Sequence, residues 1–218
     1  MPTHLEQELE NAKIRIFQMA DLAIEAIRRS VESYKRGDVG LADEVIQSDN
    51  RLDELEILID DECIRILVTR QPAAADLRLV LAMLKTNTDL ERIGDFASNI
   101  ARETIRLNGK APLKPLVDIP IMAQYCIEMI KDSFLAISER DAERARRVIE
   151  RDREIDALNV QVYRELISYM LENPATISQA LGLIMVSKAL ERIGDHATNI
   201  AERAIYYIGG EDVRHSKQ

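Results

Sequence analysis

The chain has 218 residues, of which 46% are hydrophobic, 31% charged and only 4% aromatic, with no tryptophan. That mixture favours long packed helices over sheet, and the length fits one large domain or two small ones. The formal net charge is −9 and the basic residues are scattered among acids, as in Glu139-Arg140-Asp141-Ala142-Glu143-Arg144, which argues against nucleic acid as a partner.

The opening Met1-Pro2-Thr3-His4-Leu5-Glu6 has no basic region followed by an apolar stretch, so no signal peptide is expected. No apolar run approaches the ~18 residues needed to span a bilayer. Cys63 and Cys126 are isolated from each other and belong to no C-x-x-C pair, so both are expected as small buried hydrophobes. A soluble, reduced, cytoplasmic protein follows.

In chain order, the first predicted helix runs from about residue 4 to Arg36, where Gly37-Asp38 breaks it. The second runs from about Asp38 to Arg70. Its Val45, Leu52, Ile59 and Ile66 recur every seven residues, with Leu41 and Leu55 filling the alternate heptad position four residues before Val45 and Ile59, a stripe suited to a helical bundle. Pro72 is expected in the first turn of the third helix, which ends near Asn108-Gly109. The stretch Gly109-Lys110-Ala111-Pro112-Leu113-Lys114-Pro115 reads as a linker. A fourth helix then reaches about Glu139 and a fifth runs from Asp141 to Leu171. The sixth opens at Asn173-Pro174, with Asn173 as N-cap, and reaches about Ile208 before Gly209-Gly210 ends it.

The plan of the first half is repeated in the second. Leu90 through Ala101 aligns with Leu190 through Ala201, and only two positions differ: Phe96 becomes His196 and Ser98 becomes Thr198. A second match pairs Asp49, Leu52, Asp53 and Leu55 with Asp152, Ile155, Asp156 and Leu158. An internal repeat of this kind predicts an all-α protein of two tandem three-helix bundles. The expected divisions are a first bundle over 1–108, a linker over 109–115, a second bundle over 116–210 and a less ordered tail over 211–218.

Each half carries two acid pairs at i, i+4 spacing: Asp49/Asp53 and Glu91/Asp95, then Asp152/Asp156 and Glu191/Asp195. Residues four apart on a helix lie about 40° apart on one face, with Cβ atoms roughly 6 Å apart. Two ionised carboxylates that close repel, and a hard cation with oxygen ligands reverses the sign. If the second and third helices of a half are antiparallel neighbours, four carboxylates converge. Such a set suits iron, manganese, magnesium or a multinuclear cluster better than a lone zinc.

The alternative is an ordinary surface lattice of ion pairs. With 38 acids in 218 residues, about six such pairs arise by chance. Arg92 and Arg192 stand beside the acids as ready partners. A helical wheel puts Glu91 and Asp95 opposite Leu90, Ile93, Ala97 and Ile100, so both are expected to face solvent. Repetition of the pairs in both halves favours metal.

Gly94/Gly194, Ala97/Ala197 and Ala101/Ala201 form a small-residue line suited to close helix approach. Asn99 and Asn199 lie one turn beyond the acids, as candidate carboxylate orienters or plain surface residues. His196 is expected to pack as a partly buried imidazole rather than to ligate. No Glu-x-x-His, nucleophile elbow or phosphate-cradling glycine loop is present, so catalytic residues are not expected.

Taken together, these segments resemble the PhoU family. The resemblance rests on Gln71-Pro72-x-Ala74-x-Asp76-Leu77-Arg78 followed by Leu90-Glu91-Arg92-Ile93-Gly94-Asp95. In the second half it rests on Glu172-x-Pro174, on Leu190 through Glu202, and on Gly210-Glu211-Asp212-Val213-Arg214-His215. Phe96 stands where the family more often has histidine or an acid.

The resemblance implies a pseudo-twofold pair of three-helix bundles and a negative regulator of phosphate uptake and of the phosphate-starvation regulon. Implied partners are the PstB-type transporter ATPase and the PhoR-type sensor histidine kinase, so contact with the membrane would be peripheral, through those partners. Some members hold multinuclear iron or zinc clusters on (E/D)-x-x-x-D motifs. Those motifs map onto Asp49, Asp53, Glu91 and Asp95, and onto Asp152, Asp156, Glu191 and Asp195. A homodimer is expected. Two other classes stay open: a metal-free helical scaffold, and a carboxylate-bridged metalloenzyme, which the missing Glu-x-x-His disfavours.

Overall fold

A computed structural model describes residues 3–107, 110 and 113–213. Six α-helices account for the fold, and no strand occurs among the described residues. They are α1 His4–Arg36, α2 Val39–Arg70, α3 Ala74–Leu107, α4 Asp118–Glu139, α5 Ala142–Glu172 and α6 Ile177–Gly209. Each half is a three-helix bundle, and the two halves join where α3 packs on α6 and α1 on α4.

The helix ends follow local chemistry. Thr3 and Glu6 form a reciprocal capping box at the start of α1, with Thr3 N donating to Glu6 Oε2 at 2.6 Å. Gly37 closes α1 in the left-handed region at φ 65°, where glycine meets no Cβ penalty. Asp38 and Asp141, equivalent in the repeat, cap α2 and α5 by accepting from Leu41 N and Arg144 N, each at 2.9 Å.

Pro72 lies outside α3. Gln71 closes α2 in the left-handed region at φ 48°, Ala74 is left-handed too at φ 46°, and α3 starts at Ala74, beyond the proline. Asn173 caps a single 3₁₀ turn, Pro174–Thr176, and α6 proper follows from Ile177. The predicted end of α3 at Asn108-Gly109, linker positions 109, 111 and 112, and the tail from Arg214 with His215 lie outside the described residues. At the near end of the fourth helix, Lys114 is buried between Asp118, 3.0 Å away, and Glu165, which ties the chain to α5 as well as α4.

The heptad stripe of α2 is the inner face of that helix: Val45, Leu52, Leu55, Ile59 and Ile66 are all buried, while Leu41 is only half-buried. Burying each such side chain contributes about 1.5–3 kcal/mol relative to leaving it exposed. One continuous apolar core runs through both halves, from Leu9 on α1 to Ile205 on α6. Cys63 and Cys126 are free and buried in it, as their isolation in the sequence suggested.

Helices α3 and α6 are the centre of the molecule. Each packs against both other helices of its own half and against the other. The outer helices α2 and α5 each keep a face open to solvent, and the acid pairs stand at the α2–α3 and α5–α6 grooves.

Candidate metal-binding grooves

The two halves build their acid grooves in the same way. Helices α2 and α3 run antiparallel, so Asp49 comes level with Gly94, and Asn87 on α3 reaches back to α2 by donating to Glu56 O at 2.8 Å and Asp60 Oδ1 at 2.9 Å. In the second half Asp152 comes level with Gly194, and Ser187 Oγ donates to Asn159 Oδ1 at 2.7 Å.

The small-residue line has a specific purpose here. A Cβ built on Gly94 would come within 2.9 Å of Asp49 Oδ1 and closer still to Leu52 Cδ1. A Cβ on Gly194 would lie 3.0 Å from both Asp152 Oδ1 and Ile155 Cδ1. Each glycine therefore lets an apolar side chain and a carboxylate of the outer helix lie against the backbone of the central one.

All eight predicted acids reach these grooves, at different depths. Asp53 and Asp156 are exposed at the rim, and Asp49 and Asp152 are half-buried. On the central helices Asp95 and Asp195 are open, with side chains 43% and 39% exposed, but Glu91 and Glu191 are not, at 18% and 14%. The expectation that Glu91 faces solvent was wrong. A wheel drawn for one helix finds its single most apolar face, whereas α3 and α6 are covered on three sides.

Electrostatics record the crowding. Burial, then the neighbouring charge of Asp95, pushes Glu91 from an ordinary 4.5 up to about 7. Burial, then Asp156, Asp195 and Glu191, pushes Asp152 from 3.8 up to about 7. Asp49 and Asp195 are raised as well, in both cases by burial first and then by neighbouring carboxylates. Clustered raised carboxylates mark a candidate functional site, although ion-pair networks produce the same signature.

The grooves also contain cations. Arg92 and Arg192 sit 3.3 and 3.2 Å from Asp95 and Asp195, and Lys188 pairs with Glu191. Glu191 Oε2 is buried with no hydrogen-bond partner, and Arg192 Nε lies 3.7 Å from it. The donor set, all carboxylate oxygen, fits a hard cation. As placed, no three acids, imidazoles or thiolates among the described residues are close enough together to enclose one.

Two participants escaped the sequence reading. Glu56 is raised by burial and by Asp60, Asp53 and Asp95, which makes it a further carboxylate of the first groove. The spacing of Asp49, Asp53, Glu56 and Asp60 along one face of α2 was the available signal. The second half has no match, with Asn159 and Tyr163 at the equivalent places.

The other is Asp89, buried at the α3–α6 seam. His196 Nδ1 lies 2.8 Å from Asp89 Oδ1, and Asn199 Nδ2 donates to the same oxygen at 3.0 Å. The equivalent of this polar pair across the repeat is Ala189 with Phe96, both apolar. His196 thus packs as a half-buried imidazole, as expected.

Comparison with known proteins agrees with this geometry. The family profile described as PhoU domain matches twice, over residues 16–104 and 119–204. The Aquifex aeolicus phosphate-specific transport system accessory protein PhoU homolog is 44% identical, covering 97% of this chain and 96% of that one. Its Pseudomonas aeruginosa counterpart is 40% identical over 95% of this chain and 86% of the relative. The crystal structure of PhoU from Pseudomonas aeruginosa superimposes with a TM-score of 0.89 at 38% identity, covering 94% of this chain and 99% of that one. The phosphate transport system regulatory protein PhoU from Streptococcus pneumoniae, at 24% identity, also gives 0.89 and shares the fold. With its domain present twice and these relatives matched almost end to end, the chain belongs to the PhoU family.

Proposed function

We propose that this chain is a cytoplasmic accessory protein of a phosphate-specific transport system. In this role it restrains phosphate uptake and the phosphate-starvation response by contact with a PstB-type ATPase and a PhoR-type sensor kinase. The observation that carries the reading is the doubled PhoU domain, spanning nearly the whole chain and shared with relatives of that name. No helix of the described residues is long and apolar enough to cross a membrane, which fits a protein that reaches the membrane through partners.

Iron, zinc or another divalent metal held by the eight acids is part of the proposal. Such a metal would supply positive charge to two crowded carboxylate clusters. Asp49, Glu91, Asp152 and Glu191 would bind it from the groove walls, Asp53, Asp95, Asp156 and Asp195 from the rim, and Glu56 would add charge in the first half. A metal-free scaffold is the second reading, favoured by one observation: Arg92, Lys188 and Arg192 already pair with the central-helix acids. The test is complementation in a bacterium lacking its own homologue and carrying a phosphate-starvation reporter. Restored repression in phosphate-replete medium supports the proposal, and an unchanged, constitutively active reporter with the folded protein present refutes it.

A further inference from the structure

The α3–α6 seam is pseudo-twofold in sequence, but its two sides differ. Asp89, His196 and Asn199 bridge one side with hydrogen bonds. On the other, where the equivalent residues are Ala189, Phe96 and Asn99, the seam opens into a groove of about 510 Å³. Phe96, Met185 and Ala189 supply its apolar lining, while Arg102, Lys188 and Arg192 stand around it. Glu103 is the single carboxylate there, and it already pairs with Arg106 at 2.8 Å.

The groove's own lining carries three cations and one carboxylate in a chain of net charge −9. Glu191 and Asp195 beside it balance Lys188 and Arg192, which leaves Arg102 as the lining cation with no ion pair among the described residues. Arg102 donates to Asn99 Oδ1 at 2.6 Å. Ile177, Leu181 and Met185 are exposed, and they follow one another at four-residue steps along α6 up to Ala189. One stripe of this length on a helix is the form of a helix-binding surface.

We propose that this stripe and groove dock an acidic amphipathic helix of a partner protein. Its apolar side chains would lie on Ile177, Leu181, Met185 and Phe96, and its carboxylates would meet Arg102, Lys188 and Arg192. Charge complementarity at such a rim raises the association rate and sets partner choice, and it weakens as salt rises. A nucleic acid has no apolar face to cover the exposed aliphatic stripe of Ile177, Leu181 and Met185.

The test uses the full chain and two labelled peptides, read by fluorescence anisotropy. One is an amphipathic helix with Leu at every fourth position and Glu beside it, and the other replaces each Glu with Lys. The Glu peptide should bind, more weakly at high salt, and at least tenfold more weakly to Arg102→Glu and to Met185→Glu. Both positions are exposed, so circular dichroism and the thermal midpoint should stay unchanged. No binding, equal binding of both peptides, or indifference to the two substitutions overturns the proposal. Self-association of the chain that both substitutions abolish also overturns it, by giving the groove to a second copy.

Discussion

Replacing Gly94 with alanine tests whether the groove is built on close approach of α2 to α3. In an unconstrained helix interior the change should stabilise by about 1 kcal/mol, because glycine has more backbone freedom to lose. Here the new Cβ falls on Leu52, which is buried, and lies 2.9 Å from Asp49 Oδ1. Overpacking of this kind costs about 1–3 kcal/mol, so the clash outweighs the gain and a net loss of about 1 kcal/mol is expected. For a chain of this size that lowers the thermal midpoint by about 2–4 °C.

Gly194→Ala meets Ile155 and Asp152 at the milder distance of 3.0 Å, so its two effects should nearly cancel. Thermal and denaturant unfolding of both variants gives the comparison. Leu52→Ala should cost less in the Gly94→Ala background than in the wild type, because the smaller side chain relieves the clash. A Gly94→Ala variant more stable than wild type would refute the packing argument.

Three further predictions concern charge and burial. Glu91 and Asp152 have folded pKa values of about 7, above their ordinary 4.5 and 3.8, so the folded state holds their protons more tightly than the unfolded chain does. Their contribution to stability is therefore present below pH 4 and is lost as pH rises to 7. Glu91→Gln and Asp152→Asn should gain stability relative to wild type across that window in urea titrations, and a constant difference would contradict the assignment.

Asp89→Ala should cost about 1–3 kcal/mol, because it strips the buried partner from His196 and Asn199. Adding His196→Phe should recover part of the loss by recreating the Ala189/Phe96 pair of the other side, and strict additivity in a double-mutant cycle would count against that. Burial pushes the Cys63 thiol up to about 12 and the Cys126 thiol higher still, so neither should react with a thiol reagent in the native protein. Rapid labelling at neutral pH without unfolding would show the core to be open.

Periodicity and repetition carry most of the fold in the sequence itself. The heptad of Val45, Leu52, Ile59 and Ile66 identified the inner face of α2, and the near-identity of Leu90–Ala101 and Leu190–Ala201 predicted the doubled bundle. What escaped depends on neighbours rather than on one helix. Glu91 is sheltered because α3 has three helices around it, and no single-helix wheel carries that information. Asp89 became visible only once α6 delivered His196 to it, although the joint difference at 89/189 and 96/196 was already in the sequence. Glu56 has Asn159 as its counterpart in the second half, and asymmetric additions to a repeat leave no repeat signal.

Metal content of the chain purified without chelator, measured by elemental analysis for iron, zinc, manganese, magnesium and nickel, tests the central claim about the grooves most directly. The account predicts at least one transition-metal ion in each half. Glu91→Ala/Asp95→Ala should remove the first and Glu191→Ala/Asp195→Ala the second, with the fold intact by circular dichroism. Near-zero occupancy that persists after incubation with iron and zinc would contradict it and leave the eight acids as a solvated lattice of ion pairs.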